Sequence, residues 1–74
     1  MGMQTGKVKF FLGRRGWGFL VPDKGGRDVF VWKGEFESKG VSLNEIRDGT
    51  PIIFALVPGR STHRPQAKSW ALQE

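Results

Sequence analysis

Two short runs of this 74-residue chain set large aromatic rings beside cations: Arg14-Arg15-Gly16-Trp17-Gly18-Phe19-Leu20-Val21 and Asp28-Val29-Phe30-Val31-Trp32. Side chains alternate along an extended strand, so Trp17 and Phe19 share a face with Val21, while Gly16, Gly18 and Leu20 take the other. In the second run Val29 and Val31 point inward, and Phe30 and Trp32 point outward. Flat rings exposed next to fixed positive charge can stack on bases while the cations hold phosphates. That is the chemistry of a surface for single-stranded nucleic acid.

Other chemistries lack their parts. The chain has no cysteine, which excludes disulfides and thiolate chemistry and fits a reducing compartment. Its single histidine, His63, has no ligand-type neighbour, so no protein-built metal site is expected. Gly13, Gly16 and Gly18 imitate a phosphate loop, but neither the required later glycine nor a Lys-Ser/Thr pair follows. Glu35 and Glu37 read as a solvated rim, and no nucleophile–base pair is recognisable. The expectation is a binding protein, without enzymatic activity and without a cofactor.

Charge is unevenly placed. The net charge is +5, and residues 1–33 hold seven basic and two acidic groups. Residues 34–50 hold two basic and four acidic groups, and residues 51–74 hold three basic and one. The positive charge therefore accompanies the aromatics and the last loop, which favours a polyanionic partner. No apolar run approaches a membrane span and no signal peptide is recognisable, so a cytoplasmic protein without membrane association is expected.

The elements that must position the rings are strands. Thr5–Leu12 is a β run with Val8 inside and Lys7 and Lys9 outside. Strict alternation sends Phe10 in and Phe11 out, whereas a bulge would let the two straddle the sheet. The aromatic runs form a hairpin across Asp23-Lys24-Gly25-Gly26-Arg27. Closure around Lys24-Gly25 places Phe19 opposite Phe30 and Trp17 opposite Trp32, with cross-strand neighbours about 5 Å apart. Lys33–Gly49 is a long, irregular connection with one helical turn near Leu43–Ile46. Thr50–Val57 is a fourth strand and Gln66–Leu72 a fifth, with the basic loop Arg60-Ser61-Thr62-His63-Arg64-Pro65 between them. Phe54 and Trp70 fall in phase with Ile52, Leu56 and Leu72 and belong to the core. Five short strands and one long connection give an all-β, five-stranded antiparallel Greek-key barrel. Residues 1–4 are expected to fray, 5–72 to form the single domain and 73–74 to be a tail. At this size only about 60% of the unfolded surface is buried.

Four segments in order resemble the bacterial-type cold-shock domain family, over Thr5 to about Leu72. Gly6-Lys7-Val8-Lys9-Phe10-Phe11 is similar to its opening G-x-V-K-W-F, and Arg15-Gly16-Trp17-Gly18-Phe19-Leu20 to its K-G-[FY]-G-F-I. Asp28-Val29-Phe30-Val31-Trp32 is similar to D-V-F-V-H, and Arg64-Pro65-Gln66-Ala67 to G-P-Q-A. The resemblance implies an OB-fold barrel that stacks bases of single-stranded RNA or DNA on strand aromatics and holds phosphates with nearby cations. An RNA-chaperone or cold-shock role is implied with it. Carried over, the stacking set is Phe10, Phe11, Trp17, Phe19, Phe30 and Trp32. The basic rim is Lys7, Lys9, Arg14, Arg15, Lys33, Arg60, Arg64 and Lys68.

Among the chain's departures from the family pattern, four bear on the stacking surface. Phe10 stands for a usual Trp, Leu12 for Asn, Trp32 for His and Lys33 for Phe, with Phe36 a candidate replacement for the last. Trp32 exchanges a titratable group for a larger π-face. A second reading, from another class, is a barrel that has drifted into a protein-interaction or dimerisation module using Trp32, Ile53 and the long loop. Ile53 and Ala55 point outward on the fourth strand, as apolar residues at a weak homodimer contact would.

Overall fold

The computed structural model describes residues 3–56 and 65–73. Five strands, β1 (Gln4–Leu12), β2 (Trp17–Pro22), β3 (Val29–Trp32), β4 (Pro51–Leu56) and β5 (Ala67–Leu72), form one antiparallel sheet in the order β3-β2-β1-β4-β5. The sheet curls until its two edges meet. The Phe30 N–H donates to the Pro65 carbonyl at 2.9 Å, and Phe30 bridges Gln66 in the parallel sense. The architecture is the five-stranded barrel expected from the strand pattern.

Inward residues obey the alternation. Val8, Leu20, Val29, Val31, Ile52, Phe54, Ala67 and Trp70 are all buried. Trp70, at 0% exposure, is the centre of this core. Its ring lies 5.3 Å from that of Phe11 and 4.5 Å from that of Phe36, and its indole N–H donates to the Trp32 carbonyl at 2.9 Å. One buried side chain thus ties β5 to the end of β3, satisfying its own polar tip as it does so.

The long connection carries more structure than its composition suggests. It contains two single 3₁₀ turns, Lys33–Glu35 and Leu43–Glu45; only the second is anticipated by the sequence. Ser42 opens the second turn by accepting the Asn44 N–H on its hydroxyl at 3.2 Å, a local side-chain cap. Ile46 is buried and Phe36 packs on the core, so this segment closes one end of the barrel. Phe36 therefore does not replace the missing outward phenylalanine at Lys33. Glu35 is not the solvated rim residue expected either: it is half-buried, with one carboxylate oxygen enclosed. Ile53 is half-buried between its register partners Thr5 and Ala71, so it offers less apolar surface than a free outward isoleucine would. Among the described residues no helix is long and apolar enough to cross a membrane.

Candidate nucleic-acid interface

The register of β1 against β2 slips once. Val8 pairs with Leu20 but Phe10 pairs with Phe19, leaving Lys9 as the extra residue of a bulge. Beyond it the alternation inverts, so Phe10 and Leu12 face outward and Phe11 inward. Gly18 makes the crossing possible. A Cβ on it would stand 2.3 Å from the Phe10 carbonyl oxygen and 2.7 Å from the Phe11 Cα. Any side chain there would push the two strands apart. Gly16 ends the preceding turn at φ +88°, with its N–H donating to the Leu12 carbonyl at 2.7 Å.

Two rows of outward side chains result, each crossing three strands. The first is Phe10–Phe19–Phe30 and the second Leu12–Trp17–Trp32. The rings of the first row lie 5.6 Å and 5.7 Å apart in tilted and edge-to-face contacts. Trp17 touches all three of them: Phe10 at 6.1 Å, Phe19 at 6.2 Å and Phe30 at 6.2 Å, the last with planes only 25° apart. These four rings support one another laterally while remaining half-exposed. They are flat, fixed and open to solvent, which is what base stacking requires.

The remaining stacking candidates divide. Trp32 pairs with Trp17 as the hairpin register predicts and is 39% exposed, with the Lys33 ammonium 5.8 Å from its ring centroid. Phe11 is a correction to the stacking set. The bulge turns it inward against Trp70, where it belongs to the barrel's packing and not to the outer ring cluster.

The basic residues also divide. Arg14 and Arg15 are exposed in the turn between β1 and β2, and the stem of Lys33 lies over Gly16. Lys7 and Lys9 are exposed but engaged: Lys7 bonds Asp23 at 3.1 Å and Lys9 bonds Asp28 at 2.7 Å. Both aspartates flank the β2–β3 loop, so each pair ties that loop to β1. A hydrogen bond from the Thr5 side chain, then one from Lys7, holds the Asp23 carboxyl below its ordinary 3.8. Lys68 is exposed on β5, whose start lies beside β3 where the sheet closes. Arg60 and Arg64, with His63, lie outside the described residues.

Comparison with known proteins settles the relationship. The family model of the 'Cold-shock' DNA-binding domain matches residues 4–71. The chain belongs to the cold-shock domain family. As such it is a binder of single-stranded nucleic acid and not an enzyme. It is 42% identical over 65 residues to the probable cold shock protein y4cH of Sinorhizobium fredii, covering 88% of this chain and 91% of that protein. It is 40% identical over 65 residues to the cold shock-like protein CspD of Bacillus cereus, with the same coverage. In fold it is similar to a solved structure of Drosophila Unr CSD456, at a TM-score of 0.76 with 18% identity. That match covers 99% of this chain, which spans 27% of the Unr chain.

What sequence reasoning missed in this cold-shock domain is the pairing of Lys7 and Lys9 with aspartates and the inward turn of Phe11. Asp23 and Asp28, at the two ends of the β2–β3 loop, mark the former only as acids within reach, without encoding which lysine each one meets. The available signal for the latter is Gly18, a glycine opposite the Phe pair.

Proposed function

We propose that this cold-shock domain binds single-stranded RNA or DNA with little sequence preference, stacking bases on Phe10, Trp17, Phe19, Phe30 and Trp32. Arg14 and Arg15 meet the backbone phosphates at the near edge, with Lys7 and Lys9 joining them when their aspartate pairs open, and Lys33 stands beside Trp32 at the edge of the stacked base. Lys68, Arg60 and Arg64 complete the basic rim. The observation that carries this reading is the four-ring cluster. Phe10, Trp17, Phe19 and Phe30 form one connected cluster on the outer face, with Trp17 and Phe19 each touching the other rings, while valines, Leu20 and Trp70 fill the core behind them. A hydrophobic core does not account for rings that point away from it.

Stacking on π-faces tolerates every base, and weak phosphate contacts release readily in salt. Those properties suit a chaperone that keeps transcripts from pairing with themselves, acting in the cytoplasm. The test is the affinity of Phe19→Ala and Phe30→Ala for a short single-stranded oligonucleotide. Each loses about 1–3 kcal/mol of binding while keeping its fold. Loss of folding, or unchanged affinity, would assign these rings to packing instead.

A further inference from the structure

Leu12 is where this platform carries an aliphatic side chain among rings. The bulge at Lys9 turns it outward, opposite Trp17, and it is 37% exposed. Trp32 flanks Trp17 on the other side, so Leu12–Trp17–Trp32 is an apolar strip across three strands. At about 4.8 Å between strands, such a strip is wide enough to carry one base. Its two flanks differ in chemistry. Beside Trp32 stands the Lys33 ammonium, a donor for the acceptors on a pyrimidine's pairing edge: O2 and O4 of thymine or uracil, O2 and N3 of cytosine. Leu12 can neither donate nor accept a hydrogen bond, and it suits only an apolar edge. A pyrimidine has one such edge, at C5 and C6, opposite the pairing edge.

We propose that Leu12 makes this protein discriminate pyrimidines by their C5 substituent, favouring thymine over uracil and 5-methylcytosine over cytosine. The inference rests on the stacking function proposed above. A base on Trp17 turns its polar edge toward Lys33 and its C5 position toward Leu12. A methyl group there leaves water for contact with the leucine, as apolar side chains read the thymine methyl elsewhere.

The experiment is a Trp-fluorescence titration of the protein, Leu12→Asn and Leu12→Ser with four oligodeoxynucleotides of one length. These are all-thymine against all-uracil, and all-5-methylcytosine against all-cytosine, so the sugar is constant. A methyl group also strengthens stacking itself, so the decisive quantity is the change in each affinity ratio between Leu12 and its replacements. The ratio is expected to be about two- to four-fold higher with Leu12, as burial of one methyl implies. Leu12→Asn and Leu12→Ser both replace the apolar side chain with a polar one, and near-ultraviolet circular dichroism checks that each variant is folded. Equal ratios in all three proteins would overturn the role of Leu12 and leave the stacking function standing. No binding of any oligonucleotide would overturn both.

Discussion

Phe10 and Phe11 are neighbours of one residue type with opposite duties, and they make the sharpest pair of substitutions. Phe10→Ala removes a ring that touches Trp17 and Phe19 on the open face. It is expected to weaken single-strand binding by about 1–3 kcal/mol with little change in the urea midpoint. Phe11→Ala removes a ring packed on Trp70. Its main effect is on stability, toward the lower end of the about 3–5 kcal/mol seen for truncating buried phenylalanine, because the residue is only half-buried. The inverse pattern would show that the bulge is misplaced. Gly18→Ala is expected to destabilise by at least about 1–3 kcal/mol through overpacking against the β1 backbone, read from urea denaturation. The faces of Trp17, Phe19, Phe30 and Trp32 are legible in the sequence because plain alternation governs β2 and β3. The faces of Phe10 and Phe11 are not, because they depend on how closely another strand passes Gly18.

The strands carry the rings, but the β2–β3 loop governs the charge beside them. Asp23 at its start holds Lys7, and Asp28 at its end holds Lys9. Exposed pairs of this kind contribute little to stability. Their consequence is that two cations meet an internal carboxylate before they meet a phosphate. Asp23→Asn therefore frees Lys7, and binding should tighten at low salt. The salt dependence should steepen by about 0.7 log units per decade, the increment of one added phosphate contact. An unchanged slope would mean that Lys7 does not reach the ligand. The same residue gives a pH signature. Its folded-state pKa is depressed below 3.8, so the ionised carboxylate stabilises the fold above that pH. That contribution fades as pH falls from 3.8 through the lower folded value. Urea midpoints measured well above and well below 3.8 should fall less for Asp23→Asn than for the unmodified protein. Composition shows that these cations accompany the aromatics. Which of them are paired depends on the path of a six-residue turn, and no local pattern encodes it.

At the scale of the molecule, one tryptophan holds closed what the other two hold open. Trp70 is fully buried, contacts Phe11 and Phe36 and bonds the Trp32 carbonyl, so β5, the long connection and β3 meet at it. Trp70→Ala is expected to cost about 3–5 kcal/mol, much of the about 5–15 kcal/mol available to a small domain. Fold class, strand order around the hairpin and the core role of Phe54 and Trp70 are legible from periodicity. The contribution of Ile46 and Phe36 is not, because the segment that carries them has neither a helical nor a strand period. It is placed by what it covers. This division of tryptophans offers the most direct test of the stacking surface. The intrinsic fluorescence of the protein, Trp17→Phe and Trp32→Phe is titrated with a short single-stranded pyrimidine oligonucleotide at low and high salt, and with a duplex of the same length. Quenching is expected from Trp17 and Trp32, with Trp70 nearly silent and the duplex bound more weakly. Absence of quenching, or equal affinity for single strand and duplex, would contradict a surface built for unpaired bases.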